Sequence, residues 1–137
     1  MKSIFAIALL LLFGACSKKT TTNDPINEPV SPTAMVITKG NFIGTPGHNV
    51  SGSAEIITEN NQKKLVLKGF STTAGPDLRV YLATNAQAGN FISLGQLKAN
   101  SGQQVYDITG MPDFTQHKFV LIWCQQFNIL FGSAQLN

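Results

Sequence analysis

Charge is scarce in this sequence. Only 12% of the 137 residues are Asp, Glu, Lys or Arg, and 10 basic residues against 7 acidic ones leave a net charge of +3. Nucleic-acid binding needs a concentrated basic face, so no nucleic-acid partner is expected. Cysteine is scarcer still. Two residues cannot build the disulfide framework of a small secreted scaffold. There is no Cys-x-x-Cys for thioredoxin-like exchange and no Cys-x-x-Cys-His for covalent haem attachment. Gly-x-Ser-x-Gly, His-Glu-x-x-His and phosphate-loop motifs are missing as well. Glu55, Glu59, Asp77, Asp107 and Asp113 are scattered, with no spacing that marks a glycosidase pair. Long apolar runs are also lacking. The run Ile4 to Phe13 would span about 15 Å as a helix, half of the roughly 30 Å hydrocarbon layer. The 43% hydrophobic share nevertheless excludes global disorder.

What is present begins with an address. Met1-Lys2-Ser3 is a short basic start, and Ile4 to Phe13 is a signal-peptide apolar region. Phe13-Gly14-Ala15-Cys16 resembles the bacterial lipobox, whose small residues give a peptidase access to an acylated cysteine. Residues 1–15 are therefore read as a lipoprotein signal peptide and Cys16 as the lipidated N-terminus. Several acyl chains hold a protein firmly, because each buried methylene adds about 0.8 kcal/mol. Ser17 stands where an Asp would favour inner-membrane retention, and Lys18-Lys19 stands where surface-export signals are acidic. The expected location is the cell envelope, at the outer membrane facing the periplasm. Residues 16–33 are polar and contain Pro25, Pro29 and Pro32, so a flexible linker is expected there.

Residues 34–137 read as one domain. No segment carries a helical apolar period with caps, whereas period-two patterns recur. Leu78, Val80 and Leu82 share one face of a strand, with Arg79 and Tyr81 on the other. Phe119 to Cys124 is apolar on both faces, which predicts a central strand, with Phe127 to Phe131 as its partner. Val36 to Phe42, Val50 to Thr58, Leu65 to Phe70, Phe91 to Leu97 and Val105 to Ile108 complete about eight strands. The fold class is all-β: a single antiparallel β-sandwich or flattened barrel.

Cys124 is the most informative residue. With Cys16 acylated it has no intramolecular disulfide partner, so in an exported chain it is either shielded or used. Alternation puts it with Val120 and Ile122, which predicts packing in the core. His48, in Gly47-His48-Asn49, is a candidate ligand to metal or haem iron, a base, or a turn histidine bonded to backbone. Arg79 or His48 would stabilise a thiolate if the fold brings either close. His117 is expected in solvent, and Asp77 is expected to cap a turn. Type-one copper is not signalled, because Gln125-Gln126-Phe127-Asn128 follows Cys124 where cupredoxins carry a His and a Met.

Six elements then occur in order: Gly40-Asn41-Phe42, Gly47-His48-Asn49-Val50-Ser51-Gly52, Gly75-Pro76-Asp77-Leu78-Arg79-Val80-Tyr81-Leu82, Leu94-Gly95-Gln96-Leu97-Lys98, Val120-Leu121-Ile122-Trp123-Cys124 and Phe131-Gly132-Ser133-Ala134. Together they resemble the DM-thirteen domain, the electron-transfer DM family, over about residues 40 to 136. The resemblance implies an extracytoplasmic β domain with a redox or electron-transfer role. It implies that Cys124 is the redox thiol or the ligand of a prosthetic group such as haem, with His48 as the next cofactor-binding candidate. A redox partner protein follows from the same reading. The competing reading is a non-catalytic β-sandwich module that binds a small ligand, a glycan or an envelope protein.

Overall fold

The computed structural model describes residues 20–137. The segment 1–15 expected to be a signal peptide, Cys16 and Lys18-Lys19 lie outside the described residues. The described chain is all-β, with nine strands: β1 (Ile26–Asn27), β2 (Met35–Gly44), β3 (Val50–Glu59), β4 (Gln62–Thr72), β5 (Leu78–Ala83), β6 (Ile92–Gln96), β7 (Ser101–Asp107), β8 (Phe119–Cys124) and β9 (Ile129–Gln135). They form one curled sheet in the order β1-β7-β4-β3-β2-β9-β8-β5-β6.

Two corner segments fold this sheet over on itself. The first part of β2 pairs with β3, whereas Phe42, Ile43 and Gly44 pair with β9. On the opposite side the chain runs from β6 almost straight into β7. The Leu97 amide there donates to the Leu78 carbonyl, and the Thr72 amide donates to the Asn100 carbonyl three residues later. One continuous stretch thus serves both layers, as the expected flattened barrel requires. Asn60 and Asn61 make the tight β3–β4 turn, with φ of 48° and 61°. That is the left-handed pair a two-residue hairpin needs.

The core follows from strand alternation. Leu78, Val80 and Leu82 of β5 meet Val120, Ile122 and Cys124 of β8 inside the barrel, with Ile56, Leu65, Leu67 and Phe70 from the facing layer. Each such aliphatic side chain contributes about 1.5–3 kcal/mol by leaving water. The outer face of β5 and β8 carries a second cluster around Tyr81, Ala83 and Leu121, flanked by Phe119 and Trp123. β8 is therefore covered on both faces, as its two-sided apolar pattern predicts.

The expectation of a flexible linker is corrected over its described part. Thr21 to Glu28 lies along 97–105 as a parallel strap, which also makes the sheet mixed rather than wholly antiparallel. The Thr21 hydroxyl donates to the Leu97 carbonyl, and the Thr22 amide donates to the Lys98 carbonyl. The Glu28 carboxylate accepts from the Val105 amide and from the Lys98 ammonium. Gly102 makes room for it: φ there is 98°, and any Cβ would collide with the Ile26 carbonyl. The strap is held by backbone pairing and one half-exposed carboxylate rather than by apolar burial, so hydrophobic patterning does not register it.

The barrel has two distinguishable ends. The turns 45–49 and 73–77, the corner 97–100 and the turn 125–128 crowd one end, where Cys124 also lies; this is the sulfur end. The turn 60–61 and the loops 84–91 and 108–118 crowd the far end.

Candidate functional site

Four of the sequence elements converge on the sulfur end. Leu78 opposes Cys124 in the β5–β8 ladder, and Ile129 opposes it on β9. The Gln125 amide donates to the Asp77 carbonyl at 2.9 Å, which ties the turn after the cysteine to the Gly75-Pro76-Asp77 turn. Thr45 links the His48 loop to β9: its amide and hydroxyl both donate to the Phe131 carbonyl. Phe131 is the hub. His48 stacks on its ring at 3.8 Å with an interplanar angle of 18°. Gly75 approaches the ring edge so closely that a Cβ there would sit 2.9 Å from it. Only glycine lets the 73–77 turn close over that ring.

Cys124 is a free thiol with 0% exposure, packed into the main apolar core. Arg79 is not its partner. It lies on the outer face beside Trp123, where its Nε binds the Asp77 carboxylate at 2.7 Å. Asp77 thus serves an ion pair as well as its turn. His48 shares the sulfur end but is held by Phe131, and its Nδ1 is buried without a hydrogen-bond partner. His117 is half-buried at the far end, where its Nε2 meets the Asn90 carbonyl at 2.9 Å. That corrects the expectation that it stands in solvent. It caps the 84–91 loop against the 108–118 loop. No cluster of three or more His, Cys, Asp or Glu suited to a metal occurs among the described residues.

A haem needs a donor atom presented to a flat open slot. The Cys124 thiol faces packed hydrocarbon, and one face of the His48 ring is covered by Phe131. The described surface carries a cleft of about 870 Å³ at the far end and another of about 380 Å³ beside the 94–98 segment. Neither is lined by Cys124 or His48. The residues present do not fit a haem ligated by Cys124.

Two features escaped the sequence reading. Gln104 is wholly buried and holds the β6–β7 corner: its Nε2 donates to the Ala99 carbonyl, and its Oε1 accepts from the Ala99 amide and the Tyr106 hydroxyl. Burial pushes the Tyr106 phenol far above its ordinary range. The second is an aromatic stack on the outer face, with Phe91 over Tyr81 at 4.1 Å and Trp123 at 6.2 Å from Tyr81. Burial raises the Tyr81 phenol, Arg79 opposes that and Asp77 adds to it.

With this geometry in place, comparison with known families is decisive. A family model described as Electron transfer DM13 matches residues 41–136. The chain belongs to the Electron transfer DM13 family. The match covers the barrel from late β2 through β9 and leaves the strap outside it. No curated protein and no solved structure gives a significant match. Membership points to a redox or electron-transfer role for this DM13 domain.

Proposed function

We propose that this protein is a lipid-anchored envelope lipoprotein whose DM13 domain serves electron transfer through Cys124, a thiol guarded in the ground state. The observation that carries the reading is position. Cys124 is the last residue of β8, and the next four residues, Gln125 to Asn128, are all exposed. A thiol so placed is screened from the oxidants of an exported compartment, yet a single turn separates it from solvent. Opening that turn costs less than unfolding the barrel, because turns and strand ends open locally. An opened Cys124 thiolate attacks a partner protein's disulfide. A new Sγ–S bond forms, the partner's S–S bond breaks, and its second sulfur leaves as thiolate. The described domain holds no second cysteine, so a thiol of the partner must resolve the mixed disulfide. The lipobox-like Gly14-Ala15-Cys16 supports the anchor, and Ser17 with Lys18-Lys19 supports an outer-membrane, periplasm-facing site.

A second reading is favoured by the complete burial of Cys124 and by the far-end cleft of about 870 Å³. In that reading the sulfur is packing, and the domain is a non-catalytic module that binds a small ligand, a glycan or an envelope protein. Thiol labelling with a water-soluble aromatic disulfide separates the two. A native-state labelling rate well above the rate of global unfolding supports the guarded thiol. Labelling that keeps pace with global unfolding at every urea concentration leaves only the binding module.

A further inference from the structure

We infer that the docked strap turns the sulfur end of the barrel toward the bilayer, so that Cys124 works at a lipid surface. The inference rests on acylation of Cys16, and the experiment below separates the two.

Where the chain enters the fold decides the orientation. Thr21 is hydrogen-bonded to Leu97, Leu97 to Leu78, and Leu78 faces Cys124, so these four residues lie side by side on adjacent segments of the chain. Three strand spacings of about 4.8 Å put Thr21 roughly 14 Å from Cys124 around the barrel. From Thr21 the strap runs away from the sulfur end, and near Ser31 it reaches Glu59 at the far end. The chain therefore leaves toward the anchor from the sulfur end.

Length fixes the distance. A free linker from Cys16 to Met35 would be 19 residues long and would let the domain tumble. With Thr21 docked, five residues remain, and they span at most about 18 Å fully extended. That is too short for the barrel to turn its far end to the membrane, because the ten residues of β3 alone separate the ends by about 30 Å. Exposed apolar side chains stand at both ends, Met35, Phe91 and Met111 at the far one, so the tether length and not the apolar surface sets the orientation; the near side still offers groups suited to a lipid interface. Phe127, in the turn after Cys124, is 60% exposed, and Ile43, beside the β2–β9 corner, is 75% exposed. A redox partner of Cys124 must then reach it within the interfacial layer, while the far-end cleft faces away from the membrane.

The test uses the full-length protein, matured in its host and reconstituted in vesicles that carry a dansyl headgroup lipid. Trp123, the only tryptophan, adjoins Cys124 and is the energy donor. A second protein, Trp123→Phe with Met111→Trp, moves the donor to the far end, where Met111 is 99% exposed. The expected result is strong transfer from Trp123 and weaker transfer from position 111. Inserting ten Gly/Ser residues between Lys19 and Thr20, which leaves the strap intact, should abolish that difference. Equal transfer from both ends in a protein whose mass shows acylated Cys16 overturns the orientation and leaves the anchor standing. A mature protein without acyl chains overturns both.

Discussion

Leu78 faces Cys124 across the β5–β8 ladder, with both side chains wholly buried, while Arg79 and Trp123 face each other on the outside. The alternation that hides the sulfur thus also carries the nearby guanidinium to the opposite face. Cys124 packs as a small hydrophobe in the closed state. Cys124→Ala should cost about 1–2 kcal/mol through the small cavity it leaves. Cys124→Ser should cost more, since a hydroxyl buried without a partner loses about 1–3 kcal/mol. Urea denaturation of the two variants checks the order. A serine variant as stable as the wild type would mean that the site is wet.

Gly102 is the residue that admits the strap. Its φ of 98° costs a side-chain-bearing residue roughly 1–2 kcal/mol, and a Cβ would also collide with the Ile26 carbonyl. Gly102→Ala should detach Thr21 to Glu28 while leaving the barrel folded. Amide exchange at Thr22 and Glu28 should rise strongly, and exchange at Ile56 and Leu65 should change little. Uniform loss of protection would show that strap and barrel unfold together.

Much of the barrel was legible in the sequence because its strands alternate cleanly. β5 and β8 could be read from the residue pattern alone, since each residue's facing follows from period two. The strap was not legible. Its proline-spaced polar residues give no apolar period, and it is held by Gly102, which lies 76 residues beyond Ile26. At the site, inward alternation correctly placed Cys124 beside Ile122. What pattern could not give was the relation between loops. The stacking of His48 on Phe131, the outward turn of Arg79 and the Gln125-to-Asp77 tie all depend on which turns share an end. Gln104 was missed because a lone glutamine in a strand usually points to solvent, and only the corner geometry shows why it is inside.

Acid should release the strap before it unfolds the barrel. Burial alone would raise the Glu28 carboxyl, but the Val105 amide and the Lys98 ammonium outweigh it, and the net shift is below the ordinary value of 4.5. A carboxyl depressed in the folded state stabilises above its unfolded value and loses that contribution as pH falls through its folded value. Strap protection should therefore be full near neutrality and decline below about pH 4.5. Glu28→Gln should remove that acid step, because its amide does not titrate. Amide exchange at Val105, followed between pH 6 and pH 3, reports it directly. An acid step retained in Glu28→Gln would assign the effect to another carboxylate.

The β6–β7 corner offers the sharpest stability test, because one side chain satisfies three polar groups there. Gln104 receives the Ala99 amide and the Tyr106 hydroxyl and donates to the Ala99 carbonyl. Gln104→Leu keeps a similar volume but strands the Ala99 amide and carbonyl in a dry corner. Each orphan costs about 1–3 kcal/mol, so the variant should lose more than a typical single hydrogen bond. Tyr106→Phe strands only the Lys98 amide, which now donates to the Tyr106 hydroxyl at 2.9 Å, and it leaves Gln104 with both of its bonds to Ala99. It should be the milder change. Urea midpoints of the two variants, with unchanged m-values, should fall in that order. If Gln104→Leu proves the more stable of the two, the corner is held by packing rather than by its polar network.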